Sequence, residues 1–394
     1  SVDASRFATS YWGRSPLLSP AMDLPTEFDD LFSNDAVDEL VSRRGLRTPF
    51  VRVAKDGKTF NDRDFTRSGG VGAMIADQVS DDRLLEHFAG GATLVLQALH
   101  RTWGPIIDFA GQLGSDLGHP VQANAYVTPA QNTGFAAHYD VHDVFVVQIA
   151  GTKRWQIREP VHALPLRTQP WEQRADAVRE AANRPPLLDI ELHPGDVLYL
   201  PRGYLHSAAA LGAISTHLTL GIHAWTRMHL TEQLSAYAVE RLADDVALRT
   251  SLPLGLDWSR EAVPEQEFER VRAALIDALR AARPTDVAER LHAGHRASGR
   301  AAPLPPVASV VAAGVLRGHE VLRLRPHLAA TLVDSQQGMH VVTRAGRCSL
   351  EPSQVPGARA LLRDGQIAVA GLGVDLARRL VLAGVATIEI PPPS

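Results

Sequence analysis

The sequence predicts an α+β chain organised around a small antiparallel barrel, and three observations carry that prediction. Between Asn124 and His206 short β-branched and apolar runs alternate with turn signals, as in Val144-Phe-Val-Val-Gln-Ile and Val197-Leu-Tyr-Leu. From about residue 226 to 300 the pattern changes to long helices with spaced apolar positions. Beyond the linker signal Ala301-Ala-Pro-Leu-Pro-Pro, short strands and helices mix again. At 394 residues the chain exceeds one ordinary domain, and the expected divisions are 1–225, 226–300 and 301–394.

In chain order, residues 1 to about 120 read as an α/β flank. Pro25-Thr-Glu-Phe-Asp-Asp-Leu-Phe is expected as a capped helix and Asn34-Asp-Ala-Val-Asp-Glu-Leu as the start of another. Pro49-Phe-Val-Arg-Val is strand-like and Lys55-Asp-Gly-Lys a tight turn. Ala92-Thr-Leu-Val-Leu-Gln-Ala-Leu-His-Arg reads as strand, then helix, and Ile106 to Gly114 has helical apolar spacing. Trp12, Trp103 and Phe109 are expected in the core. In the barrel, Gly151-Thr-Lys153 reads as a turn, Pro194-Gly195-Asp196 as another, and Pro201-Arg-Gly203 as a strand breaker before His206. After it, Met228 to Ala243, Glu265 to Arg280 and a stretch beginning at Asp286 read as helices whose acidic starts and basic ends suit the helix dipole. Glu320-Val-Leu-Arg-Leu, Met339-His-Val-Val-Thr and Ala386-Thr-Ile-Glu-Ile are expected strands, with helices over 353–363 and 373–382 and a disordered Pro-Pro-Pro-Ser tail.

Composition narrows the function classes. A net charge of −4 argues against a sequence-independent nucleic-acid binder, which needs a basic surface. The single cysteine, Cys348, leaves no partner for an intrachain disulfide and fits a reducing cytosol. No apolar run reaches membrane-spanning length and no basic-then-apolar leader stands at the start. Ser1 in place of an initiating Met reads as a trimmed start.

Chemistry concentrates in Phe135-Ala-Ala-His138-Tyr-Asp140-Val-His142-Asp143 and in His193-Pro-Gly-Asp-Val-Leu-Tyr-Leu-Pro-Arg-Gly-Tyr-Leu-His206. Residues i and i+2 of a strand share a face, so His138 and Asp140 can point together into a barrel. His206 from another strand would complete a 2-His-1-carboxylate set, which leaves three positions of an octahedral metal open. His142 also shares the Asp140 face and competes as a ligand; a pocket or substrate-facing role is preferred for it. Lys153 follows thirteen residues after Asp140, and a buried lysine there would need an anion. The alternative for Lys153 is a solvated hairpin lysine. Gln148 is read as structural, and His193 as a solvated turn residue.

The ordered series Asn124-Ala-Tyr126-Val-Thr-Pro, His138-Tyr-Asp140, Asp143-Val-Phe-Val-Val-Gln148, Gly151-Thr-Lys153-Arg-Trp155, Pro194 to His206 and Ser215-Thr-His217-Leu-Thr219 resembles the JmjC-type 2-oxoglutarate oxygenases. The similarity is to the ribosomal oxygenase branch of the cupin superfamily. It implies a double-stranded β-helix (jelly-roll, cupin) core in residues 1–225, a helical dimerisation region in 226–300 and a winged-helix-like domain in 301–394. It implies Fe(II) held by His138, Asp140 and His206, with 2-oxoglutarate as co-substrate and O2 as oxidant. Lys153 and Tyr126 would take the distal carboxylate of 2-oxoglutarate, Asn124 would lie near its metal-proximal end, and Ser215 or His217 would border it.

The expected activity is therefore hydroxylation of a protein side chain, Arg or His of a ribosomal protein, by a cytoplasmic homodimer. Neither a membrane nor direct nucleic-acid binding is expected. Two alternatives stay open: hydroxylation of a small metabolite or biosynthetic peptide, and a non-catalytic cupin-like dimeric binding module. Substrate contacts are assigned to the loops Gln131-Asn-Thr-Gly and Glu159 to Pro186, the second either covering the site or forming a surface insertion.

Overall fold

The computed structural model describes residues 2–72, 74–130, 132, 135–255 and 264–388. The chain divides into two compact units, residues 1–224 and 225–394. Among the described residues no helix is long and apolar enough to cross a membrane.

The strands of the first unit are β1 (Leu17–Ser19), β2 (Val51–Lys55), β3 (Lys58–Thr59), β4 (Thr66–Arg67), β5 (Gln78–Val79), β6 (Thr93–Leu96), β7 (Val121–Thr128), β8 (Asp143–Arg158), β9 (Leu188–Leu192), β10 (Val197–Leu200) and β11 (Leu205–Ile222). All but the small β4–β5 hairpin join one antiparallel sheet in the order β1-β10-β8-β11-β7-β6-β2-β3, with β9 also on β8. The two longest strands close it on itself. The first half of β8 pairs with β10 and with the end of β11, and its second half with β9 and the start of β11. This double use of β8 and β11 gives the jelly-roll core that the family resemblance implies.

The fold corrects the expected turn at Gly151-Thr-Lys153. The strand runs through it without a reversal, and the irregularity falls on β11, whose register slips between Leu211 and Thr216. Gly151 sits at this bend with φ +63°, and a Cβ there would run into the Ile214 carbonyl. Gln148 braces the same bend, its Nε2 donating to the carbonyls of Ala150 and Gly151 and to Ser215 Oγ.

Apolar alternation on β2, β6 and β7 packs the sheet against helices Asn34–Arg43, Asp81–Ala89 and Gly104–Leu117, in a core that includes Leu40, Val53, Leu84, Leu96 and Ile106. Ser33 caps the first of these helices by accepting from the Ala36 N–H at 3.1 Å. Residues 25–32 form no helix, correcting that expectation: Leu31 and Phe32 are buried as isolated anchors, with Phe32 edge-on to Trp103 at 6.0 Å. Trp12 packs against Tyr199 and His119.

The second unit opens with helices Arg227–Leu242, Glu265–Ala281 and Pro284–Ser298. Their only buried apolar residues are Ala238 and Val287. The core of this unit lies further on, around Leu322, Leu361, Leu376 and Leu380. It joins helices Pro306–Val315, Val355–Asp364 and Val374–Leu382 to a three-stranded sheet of Gln366–Ala368, Val321–Leu324 and Ala386–Ile388, beside the meander Thr331–Ser335, Gly338–Thr343 and Gly346–Ser349. Helix 306–315 directly follows the Pro-rich linker and escaped the sequence reading because it has no polar face. The Pro-Pro-Pro-Ser tail, Glu389, Ile390 and most of the Gln131-Asn-Thr-Gly loop lie outside the described residues.

Candidate active site

His138 lies in no regular strand. It makes a single antiparallel bridge to His206 at the start of β11, just before the chain enters β8. The i, i+2 relation to Asp140 nevertheless holds, because Tyr139 between them turns the other way, is 1% exposed, and donates its hydroxyl to the Gln169 carbonyl at 3.0 Å. The ligand atoms of His138, Asp140 and His206 all lie within 4.8 Å of one another, the one such His/Cys/Asp/Glu group among the described residues. Nδ1 of His138 is 2.8 Å from the Ala136 carbonyl, and Nδ1 of His206 is 3.1 Å from the Tyr204 carbonyl. Each ring therefore donates its Nδ1–H to backbone and presents a lone pair at Nε2, the orienting arrangement typical of metal-binding histidines. His206 Nε2 is 3.7 Å from Asp140 Oδ2.

Electrostatics agree with that donor set. Burial would raise the Asp140 carboxyl, but His142, His206, His138 and Arg52 around it bring it net below its ordinary value. Burial, reinforced by His138, pushes His206 down to about 4. A carboxylate and neutral imidazoles are the protonation states a divalent cation needs.

Two contacts hold Asp140 and His206 in place. The Gly203 N–H donates to the Asp140 carbonyl at 3.0 Å. Gly203 has φ +91° and leaves no room for a side chain, since a Cβ would stand 2.5 Å from the His162 carbonyl oxygen. Arg202 forms an ion pair with the fully buried Asp143 at 2.8 Å, tying the loop before His206 to the first residue of β8.

The triad borders a cavity of about 490 Å³ whose inner end is lined by Lys153, His217, Tyr126, Thr128 and Thr93. Lys153 is 4% exposed, so the solvated-hairpin alternative does not hold. Its Nζ donates to Thr128 Oγ1 at 3.0 Å and lies 3.4 Å from His217 Nδ1. Burial alone pulls the amine down to about 7. No carboxylate among the described residues pairs with it. His217 is driven well below its ordinary value by burial, then by Lys153 and His206. Tyr126 stacks on His217 at 5.0 Å, and burial and then Asp140 push its phenol up to about 12, so it stays a donor. The inner end thus offers an amine, a phenol and hydroxyls to an acceptor.

Of the remaining expected site residues, Asn124 and Ser215 do not line this cavity. Asn124 shares the Tyr126 face but sits two residues earlier on β7, where its Oδ1 accepts the Ala98 N–H at 3.0 Å and holds the corner after β6. Ser215 is fully buried as the acceptor of Gln148. His142 is also off the cavity, its Nε2 3.3 Å from Gln122 Nε2 and its ring edge-on to His223 at 5.4 Å.

The sequence reading missed several lining residues. Thr128 and Trp155 follow Tyr126 and Lys153 by two residues on their strands, so alternation could have found both. Arg52 arrives on β2, 74 residues before Tyr126, with its guanidinium carbon 5.4 Å from the Phe135 ring centroid, and nothing local signals it. From the 159–186 stretch, Pro170, Trp171 and Glu172 line the cavity, so that stretch borders the site.

The JmjC domain family matches residues 109–230. "Bifunctional lysine-specific demethylase and histidyl-hydroxylase NO66" of Drosophila persimilis is 37% identical over 139 residues, 34% of this chain and 19% of that protein. Ribosomal oxygenase 1 of Gallus gallus is 30% identical over 257 residues, 63% of this chain and 40% of that protein. Ribosomal oxygenase 2 of Rattus norvegicus is 35% identical over 142 residues, 35% of this chain and 29% of that protein. The chain thus spans less than half the length of these relatives. Among solved structures, the Escherichia coli ribosomal oxygenase YcfD superposes with a TM-score of 0.58 at 17% identity, covering 99% of both chains. YcfD in complex with cobalt and 2-oxoglutarate gives 0.55 at 18% identity, again over 99% of both chains. These two share the fold of this chain.

Proposed function

We propose that this JmjC-domain chain, a homologue of the ribosomal oxygenases, is an Fe(II)- and 2-oxoglutarate-dependent hydroxylase of a protein side chain, with arginine or histidine of a ribosomal protein as the target. The observation that carries the reading is one cavity with two chemically distinct ends. One end gathers His138, Asp140 and His206; the other holds a buried lysine that lacks a carboxylate among the described residues. Iron with 2-oxoglutarate and O2 supplies oxidation of an unactivated C–H bond, with succinate and CO2 as by-products.

The chain's own residues have definable tasks. The Nδ1–H bonds of His138 and His206 fix both rings so that a metal meets preset lone pairs. Lys153, with Tyr126 and Thr128 beside it, binds the distal carboxylate and so aims the keto-acid end at the triad. Trp155, 5.9 Å from His206 and 5.4 Å from His217, walls the space between the two ends and excludes water. Arg52, Phe135, Trp171 and Glu172 are left to contact the target.

A silent binding module accounts less well for these residues. A buried amine with no anion is costly unless a ligand brings one. The homology also favours a protein target over a small metabolite. Anaerobic titration of the Fe(II)-loaded chain with 2-oxoglutarate tests the first part, through a weak visible charge-transfer band. Mass spectrometry of ribosomal proteins, with and without the enzyme, tests the second by looking for the mass of one added oxygen. Absence of the band would overturn the oxygenase reading. A band without any oxidised protein would overturn the target.

The same reading includes a homodimer through residues 226–300. Its helices leave Leu230 47%, Phe268 51% and Val271 50% exposed, although amphipathic helices ordinarily bury that face. A second copy supplies the missing partner. Helices Val355–Asp364 and Val374–Leu382 with their three-stranded sheet are read as the winged-helix-like element, in a packing or protein-contact role.

A further inference from the structure

Strands β6 and β7 have two faces, and the candidate active site uses only one. Thr93, Tyr126 and Thr128 line the cavity, whereas their neighbours Leu94 and Val127 point to the opposite side of the sheet. There a groove of about 790 Å³ runs between helices Asn34–Arg43 and Asp81–Ala89. Its floor is apolar and only partly covered. Leu84 and Val37 are buried, but Leu85 is 68% and Ile214 42% exposed, at the groove's edge.

Its rim is predominantly acidic. Asp35, Asp38 and Glu39 line it from the first helix and Asp81 and Asp82 from the second, against the single guanidinium of Arg43. Glu39 pairs with Arg44, and Asp82 lies 3.9 Å from the mostly exposed Arg67. Among the described residues Asp35, Asp38 and Asp81 enter no ion pair. Acidic residues in first helical turns stabilise helices, which accounts for Asp35, Asp81 and Asp82 singly. Helix stability does not require the two acidic ends to converge on one groove with exposed leucine and isoleucine. Nor do these carboxylates form a cation site, since the triad is the one potential metal group among the described residues.

We infer that this groove is a docking site for a lysine- and arginine-rich amphipathic segment of a protein. The apolar face of such a segment would cover Leu85 and Ile214, and its cations would meet the carboxylates along the rim. Nucleic acid is excluded by sign, because its phosphates would face five carboxylates. The inference deepens the protein-substrate reading and rests on it only for the partner's identity. A segment held here is one sheet away from the triad, so it would tether a substrate without entering the cavity, raising its local concentration.

The test is direct binding to the full chain, measured by fluorescence anisotropy and independent of turnover. The probe is a fluorescein-labelled helical peptide of about 16 residues with leucines on one face and alternating lysine and arginine on the other. Its counterpart carries glutamate at every cationic position. The cationic peptide is expected to bind at least about tenfold tighter than the acidic one, with affinity falling as salt rises. The double variant Asp38→Lys/Asp81→Lys should weaken it at least about tenfold and flatten the salt dependence. Leu85→Asp should weaken it about fivefold or more. Asp176→Lys/Glu180→Lys, an equal charge change on helix Ala175–Ala182, should change it less than about twofold. All substituted residues are exposed, and thermal unfolding checks that each variant folds. Equal binding of the two peptides, or equal weakening by the control variant, would overturn the docking site. So would sedimentation in which Asp38→Lys/Asp81→Lys breaks a self-associated species without changing peptide binding, which would assign the groove to a second copy. Loss of hydroxylation with peptide binding intact would instead count against the oxygenase reading alone.

Discussion

The main chains of His138 and His206 exchange a reciprocal pair of hydrogen bonds, His138 N to His206 O at 3.1 Å and His206 N to His138 O at 2.9 Å. Nearly seventy residues separate them in the chain, yet this single bridge sets their rings 4.5 Å apart. The pairing of backbones sets the two residues side by side, and the Nδ1–H bonds to the Ala136 and Tyr204 carbonyls orient both rings before a metal arrives.

His138→Ala and His206→Ala are expected to abolish Fe(II) retention while leaving the melting temperature within a few degrees of wild type, because the bridge is made by backbone. His142→Ala should keep most of the iron, since His142 lies beside Gln122 and His223 and off the cavity. Metal analysis after desalting checks all three. Wild-type iron content in either of the first two would remove that residue from the set.

The proposed role of Lys153 would make the binding of 2-oxoglutarate depend on pH with a definite sign. Its amine is held at about 7 by burial, and a bound carboxylate would raise it again. Binding above pH 7 therefore takes up a proton. The dissociation constant should be flat below about pH 7 and then rise up to about tenfold per pH unit. Lys153→Met should weaken binding about thirtyfold or more at pH 7 and remove the pH dependence. Isothermal titration across pH 6 to 9 measures both, and a slope unchanged in the variant would place the titrating group elsewhere.

Gly203→Ala should destabilise the fold by about 2 kcal/mol or more and lower iron affinity as well. The cause is twofold: a Cβ would press on the His162 carbonyl at 2.5 Å, and the displaced N–H would release the Asp140 carbonyl. Denaturant unfolding and iron titration give the two readouts. A loss of stability with full iron affinity would show that the Gly203 bond does not position Asp140.

For the proposed dimer, Phe268→Glu with Val271→Glu should yield a monomer by sedimentation. Both side chains are about half exposed on helix Glu265–Ala281, and every proposed metal ligand precedes Arg227. Iron binding and uncoupled 2-oxoglutarate decarboxylation should therefore survive. A monomeric wild-type chain at micromolar concentration would overturn the dimer.

Local patterns were enough for most elements of this protein. Periodicity located the helices at 34–43, 104–117, 227–242 and 265–281, and β-branching with turn residues located the strands that flank His206. The expected helix at 25–32 failed because Leu31 and Phe32 are drawn into the core as separate anchors, a tertiary contact overriding a capping pattern. The expected turn at Gly151 failed for a related reason. A glycine with positive φ can bend a strand as readily as reverse it, and the choice rests with the partner strand β11, sixty residues away.

The sequence by itself determined which donors exist and in what order: two imidazoles, a carboxylate, a lysine and a tyrosine at spacings that alternation can aim. Only the tertiary structure decided which of them share a cavity. Asn124, on the same strand face as Tyr126, is spent on the Ala98 N–H, and Ser215 on Gln148, while Arg52 comes in from a strand that no local pattern ties to the site. Side-chain direction follows from the period of a strand, which neighbouring residues reveal. Where a cavity begins and ends depends on pairings between residues far apart in the chain, and no local spacing records those.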